Sequence, residues 1–328
     1  MGLDRFSIRN LELVAPTNEG GRSLLQCMDR CATAMGSRLL KRWLLMPLLD
    51  KAAIDSRLGR VGAFIASGAT MEAVGQELER IGDLERLAGK AAAGRIGPRE
   101  MLQLAQAIES TERLRRMLEG VPGPLQEAAA TIVPPLALAD AIRAAIEPAT
   151  PATLAKGGVI RSGINEELDG LRHVATHAKE LLLEAQRREV ERTGITSLKV
   201  GYNNVFGYYL EVRNTHREKV PADWVRKQTL TGAERYITDE LKALEERILG
   251  AEERMLALEG ELYQALVQRA IASIAEAQVC ARALAEIDAL RGFAATAMAL
   301  RYCRPVIDEG RAIDIRDGRH PVIEQQLP

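Results

Sequence analysis

The side chains with the clearest chemistry to offer in this sequence are basic, and they gather in one short stretch. Between Arg213 and Arg235 stand Arg213, Arg217, Lys219, Arg226, Lys227 and Arg235, against the acids Glu218, Asp223 and Glu234. Six bases less three acids leave a local excess of three positive charges, in a chain whose formal net charge is -1. Positive charge concentrated on a small surface attracts polyanions, nucleic acid among them. The other candidates are thinner. His173 and His177 have the i, i+4 spacing of helical metal ligands. Without an HExxH glutamate or a third ligand nearby, solvent-facing histidines are expected. Cys27 and Cys31 share a helix face and read as buried thiols. Asp314, Asp317 and His320 form a polar group near the C-terminal end, and no nucleophile–base pair is suggested anywhere.

The basic stretch sits in the one segment that does not read as helix, TSLKVGYNNVFGYYLEVRNTHREKVPADWVRKQTLTGAERYITD, residues 196–239. Phe206, Tyr208, Tyr209, Leu210 and Val212 are bounded by Gly201, Asn203, Asn204 and Gly207, which is strand-and-turn chemistry. The whole chain has 4 Phe, 6 Tyr and 2 Trp. Half of these twelve fall here, as Tyr202, Phe206, Tyr208, Tyr209, Trp224 and Tyr236. They read as the core of a small β-rich knob, with Tyr208 and Tyr209 alternating across a strand so that only one faces inward.

Elsewhere the composition is helical. Charged residues at 27 % and hydrophobic ones at 47 % describe a globular chain, and its 328 residues leave room for two or three domains. No apolar run reaches the roughly 18 residues that a membrane span needs, no signal peptide is visible at the start, and four cysteines are too few and scattered for a disulfide framework. A cytoplasmic protein is expected. A docking segment and turn over 1–22 precede one helical pattern from Ser23 that ends at Pro47. Helical patterns follow over 52–67, 71–82, 98–118 and 124–132. Residues 165–192 read as one uninterrupted charged helix, roughly 40 Å long at 1.5 Å per residue. A second rod, roughly 60 Å by the same arithmetic, is expected over 234–275. Two such helices flanking an insertion should run antiparallel with the knob at their far end. A further helix spans 278–300. Then 312–316 and 319–323 look like strands around an Asp317–Gly318 turn, stopping so abruptly that the sequence reads as a piece of a longer chain.

Taken together, SLKVGYNNVFGYYLEV followed by RKQTLTGAERYITDEL, with GSRLLKRWLLMPLLD, RIGDLERL and DGRHPVIE, are several long matches in the correct order and resemble the MutS DNA mismatch repair ATPases from Arg9 onward. The resemblance implies a mainly α fold, a helical core with two long antiparallel lever helices carrying a small antiparallel β clamp. Residues 1–163 would be the first part of the core, 164–195 a lever, 196–238 the clamp, 239–303 the second lever and return, and 304–328 the first strands of the ATPase domain, including Asp314, Asp317 and His320. The sequence departs from the family in lacking the Phe-x-Glu mismatch-reading domain, the connector and any GxxxxGK[ST] P-loop. This chain should therefore neither hydrolyse ATP nor recognise a mismatch, although the full-length family binds ATP and magnesium. A clamp argues against the second MutS-like branch, which lacks one.

By the same resemblance two tips, Asn214-Thr-His-Arg-Glu-Lys219 and Gln228-Thr-Leu-Thr-Gly232, face duplex DNA. The contacts expected are Thr215, His216, Arg217, Lys219, Arg226, Lys227, Gln228, Thr231 and Gly232. Such groups grip phosphates without reading bases. Thr231–Gly232 would present backbone N–H groups near the start of the second lever helix. Against this stands the plainer reading that Arg226 and Lys227 pair with Asp223 or Glu234 as ordinary surface charges. The resemblance further implies a homodimeric, bacterial, nucleoid-associated protein that partners MutL. Two other readings stay open: a helical scaffold whose knob binds a protein, and an enzyme built on the histidine pair.

Overall fold

The computed structural model describes residues 2–326. Among them the elements in chain order begin with α1 (Arg5–Asn10), α2 (Leu24–Met28), α3 (Ala34–Leu45), α4 (Lys51–Ala66), α5 (Gly68–Ile81) and α6 (Leu84–Ala92). Next come α7 (Pro98–Glu119), α8 (Pro124–Ala129), α9 (Leu136–Ala145), α10 (Glu166–Thr176) and α11 (Ala178–Thr193). Four strands follow, β1 (Lys199–Asn203), β2 (Gly207–Arg213), β3 (Val225–Thr229) and β4 (Ala233–Ile237), and then α12 (Asp239–Ala272) and α13 (Ile274–Leu300). The fold is mainly α with a small antiparallel β insertion. It divides into two compact units, residues 1–148 with 266–328, and residues 149–265.

In the first unit α13 packs against α3, α4 and α6, while α7 packs against α5, α8 and α9. Phe64, Leu78, Leu104, Ile108, Leu114, Leu284 and Leu290 are buried between them. Burying side chains of this size is worth about 1.5–3 kcal/mol each before entropy is charged against it, so these layers, not the many surface ion pairs, hold the unit together. Pro98 stands at the first turn of α7, where its missing N–H costs nothing.

In the second unit the strands form one antiparallel sheet in the order β1-β2-β4-β3. Asn203 Oδ1 accepts the N–H of Val205 at 2.7 Å, and Gly207 takes φ +79, so a side-chain-closed turn links β1 to β2. On one face Leu210, Val212 and Tyr236 join Ile195, Leu198, Trp224 and Leu241, with Tyr208 and Leu182 and Val190 of α11 packed against them. On the other face Tyr209 lies over Gly201, its partner across β1 and β2; a Cβ there would come within 2.6 Å of the ring. Both tyrosines therefore pack, on opposite faces, and Tyr209 is the more buried. Arg188 pairs with Glu240 at 2.5 Å and Arg254 with Glu167 at 3.2 Å, so α10–α11 and this part of α12 run antiparallel.

Four expectations from the sequence are corrected. The helix over 165–192 is divided at His177, because the Thr176 hydroxyl and His177 Nδ1 both go to carbonyls one turn back, at 2.7 and 2.9 Å. Such back-bonding bends a helix without ending its hydrogen-bond ladder. The second rod begins at Asp239 rather than 234, because Glu234–Ile237 pair with β2 and β3. Thr238 Oγ1 then accepts the N–H of Leu241 at 3.1 Å and caps α12. The helical pattern after Ser23 is cut between α2 and α3, where Ala32 and Thr33 donate to Asp288. Finally, 312–316 and 319–323 form no strand; Ile313 and Ile315 are exposed, and 321–326 form turns, with Glu324 N–H donating to His320 O. A strand needs a neighbouring strand for its backbone groups, and among the described residues no strand pairs with these.

Candidate nucleic-acid interface

Of the expected contact residues, those on the turn after β2 and on the β3–β4 hairpin tip lie at one end of the sheet, and Arg226 and Lys227 lie further back along β3, Arg226 opposite Tyr236. After β2 the chain enters a 3-10 turn, Asn214–Lys219, that carries His216, Arg217 and Lys219. This turn packs against β2 and β4. Asn214 N–H donates to Gly232 O at 3.2 Å, and its side-chain amide donates to Thr231 O at 3.2 Å. The β3–β4 hairpin is closed by Leu230 N–H on Ala233 O at 2.8 Å. The two tips, adjacent in no obvious way along the chain, are thus tied by Asn214. Thr215, Arg217, Lys219, Arg226, Lys227, Thr231 and Gly232 are exposed, and His216 and Gln228 are half-buried.

The charges divide into committed and uncommitted. Glu234 on β4 is 3 % exposed. Its carboxylate accepts the Tyr236 hydroxyl, meets Arg226 Nη1 at 3.1 Å and lies 3.6 Å from Arg217 Nε. The Tyr236 hydroxyl, with the two guanidinium groups beside it, holds the Glu234 carboxyl below the usual carboxylate range. Burial, and then Glu234 itself, push the Tyr236 phenol up. Arg235 pairs with Glu211 at 3.1 Å, donates to Gln228 Oε1 at 2.9 Å and stacks over Tyr209 at 4.3 Å. Asp223 is taken by Arg192, at 2.6 Å to both oxygens. Among the described residues that leaves Arg213, Lys219 and Lys227 exposed and without an acidic partner. Lys227 sits at the register shift between Arg226 and Gln228, the extra residue of a β-bulge, which frees it from the ladder.

One expected feature is displaced. Thr231–Gly232 do not adjoin the N-terminus of α12, because the whole of β4 intervenes, roughly 17 Å of strand. That helix start carries Asp239 and Glu240 in its first turn, and like charge there opposes an anion. Of the plainer reading, the Arg226–Glu234 half holds; Lys227 pairs with neither Asp223 nor Glu234. Reasoning from sequence left Arg213 out of the candidate contacts and missed Asn214 as the tie between tips. An Asn directly after a strand was the available signal for the second. His173 and His177 stack ring on ring at 3.9 Å, and no group of three His, Cys, Asp or Glu among the described residues is arranged to hold a metal.

Comparison with known proteins gives the chain's relatives. The family model MutS domain III matches residues 7–294. The chain is 48 % identical over 327 residues to the DNA mismatch repair protein MutS of Bacteroides thetaiotaomicron, covering 99 % of this chain and 38 % of that protein. It is 49 % identical over 327 residues to the same-named protein of Phocaeicola vulgatus, again covering 99 % and 38 %. With that of Porphyromonas gingivalis the identity is 48 % over 330 residues, covering 99 % and 37 %. The chain spans less than two fifths of the length of these relatives. A match that runs through both units, from α1 to α13, leaves one conclusion: the chain belongs to the MutS domain III family.

Proposed function

We propose that this chain is the duplex-gripping part of a DNA mismatch repair protein. The part of the sheet bearing Arg213, His216, Lys219 and Lys227 clamps the sugar–phosphate backbone without reading sequence, and α10–α12 act as levers between that clamp and an ATPase domain. The observation that supports it most is the set of exposed bases with no acidic partner, Arg213 ending β2, Lys219 on the 3-10 turn and Lys227 at the bulge of β3, with the turn tied to the hairpin tip by Asn214. Charge of this kind binds by counterion release and is indifferent to base identity. In the whole protein we place ATP, magnesium, the homodimer contacts and the meeting with MutL outside these residues. The residues present do not fit a nucleotide site. The sequence has no GxxxxGK[ST] run, and the strand-to-helix junction into α12 opens on Asp239 and Glu240. Among the described residues no helix is long and apolar enough to cross a membrane.

The test is binding of homoduplex DNA by the 328-residue chain as salt is raised. Lys219→Ala with Lys227→Ala should weaken binding roughly tenfold at low salt for every sequence tried, and lower the slope of log K against log salt by about two. A protein-binding knob is the second reading, favoured by the exposure of Tyr202 (52 %) and Val205 (88 %) at the β1–β2 turn. It would show as partner binding that persists at high salt and is lost in Val205→Ser.

A further inference from the structure

Arg217 and Arg226 look from sequence like two of the best phosphate contacts in the sheet. Their geometry says otherwise. Both guanidinium groups converge on the carboxylate of Glu234, whose side chain is 4 % exposed, while the two arginine side chains are 61 % and 50 % exposed. They come from different elements, the 3-10 turn after β2 and strand β3, and Glu234 between them on β4 sets both positions. The strand register puts Glu234 opposite Val212 on one side and Thr229 on the other. Its place is therefore dictated by the sheet and not by the arginines.

From this arrangement we infer that Glu234 is a positioning residue that holds Arg217 and Arg226 in reserve and so limits how tightly the clamp grips duplex DNA. The inference rests on the duplex-binding reading above. Two bases and one acid present a net charge of one where two would otherwise face the phosphates. A phosphate that drew either arginine away would leave the buried carboxylate with one countercharge in place of two, a loss that an exposed phosphate contact has to offset. The pair therefore stays closed on Glu234, and the grip falls to Lys219, Lys227 and Arg213. A clamp whose affinity is limited in this way can release and rebind a duplex, as a protein that moves along DNA must.

Glu234→Gln keeps an acceptor for Tyr236 and removes the charge. In the 328-residue chain it should tighten homoduplex binding several-fold at low salt and steepen the salt slope by about one to two, one unit for each arginine released. Adding Arg217→Ala and Arg226→Ala to that variant should cancel the gain. In the unaltered chain the same two substitutions should cost less than about threefold, well below the loss from Lys219→Ala with Lys227→Ala. This last measurement decides the matter even if Glu234→Gln fails to fold. Unchanged or weaker binding by a folded Glu234→Gln chain overturns the inference. So does an arginine pair that costs as much as the lysine pair. If the lysine pair itself costs nothing, the duplex-binding reading fails first and the inference with it.

Discussion

Asp288 in the helical unit and Glu234 in the sheet are both shut away from solvent, at 0 % and 3 % exposure, but different kinds of donor answer them. Asp288 accepts the N–H of Ala32 at 2.8 Å, the N–H of Thr33 at 2.8 Å and the hydroxyl of Thr33 at 2.7 Å, with Arg291 Nε at 3.7 Å. Its donors are themselves backbone or buried, so the charge is spent on joining α13 to the start of α3. Glu234 draws on two side chains that reach it from the surface. Its charge is spent on what the surface shows to a ligand. A buried carboxylate is thus structural or functional according to whether its donors are needed elsewhere, and burial alone does not say which.

The sharpest way to break this contrast is Asp288→Ala. It leaves two N–H groups and a hydroxyl buried without an acceptor and should cost about 3 kcal/mol or more, read by urea denaturation. A loss below about 1 kcal/mol would mean that the loop before α3 does not depend on Asp288. A smaller effect is expected from filling two glycine positions, one beside Asp288 and one on the face of the sheet away from Glu234. A Cβ at Gly36 would overlap the Asp288 carboxylate, which three donors hold in place. A Cβ at Gly201 would meet only the Tyr209 ring, which can swing. Gly36→Ala should cost about 2–3 kcal/mol and Gly201→Ala about 1 kcal/mol, and the reverse order would show that the Asp288 carboxylate yields more readily than the Tyr209 ring.

The smallest effect is in acid. The hydrogen bond from Arg115, joined by Arg116, holds the Glu112 carboxyl down at about 2. A depressed carboxyl stabilises the fold above its ordinary value of 4.5 and loses that contribution as pH falls toward about 2. Glu112→Gln should therefore flatten the decline of stability between those two pH values. Asp288 has the opposite sign, since burial pushes its carboxyl above the ordinary 3.8, so its titration takes stability away as pH rises above that value. An unaltered acid profile in Glu112→Gln would show that its pairing with Arg115 and Arg116 contributes nothing.

Much of the fold was legible in the sequence where local chemistry decides. β2 follows from Tyr208, Leu210 and Val212 beside turn residues, and α7 starts at Pro98 as a first-turn proline directs. The resemblance carried the tips. What local pattern could not show is the break over 29–33. Its apolar spacing reads as helix, and only Asp288, roughly 255 residues away in sequence, takes the N–H groups that a continuous helix would have used. The bend at His177 is of a different sort. Thr176 and His177 carry the hydrogen-bonding groups that cause it, but their competition with the ladder shows only once the helix exists.

By itself, then, the sequence determined most of the helical segments, the one β-rich stretch among them and where positive charge accumulates, because periodicity, turn residues and charge are properties of neighbours along the chain. Which of those charges remain available was decided only by tertiary structure. Arg217 and Arg226 stand seventeen and eight residues before Glu234, and only the sheet's register and the folded-back 3-10 turn bring them within 3.6 and 3.1 Å of it. Coulomb attraction at that range depends on distance and burial, and neither is written in the order of the residues.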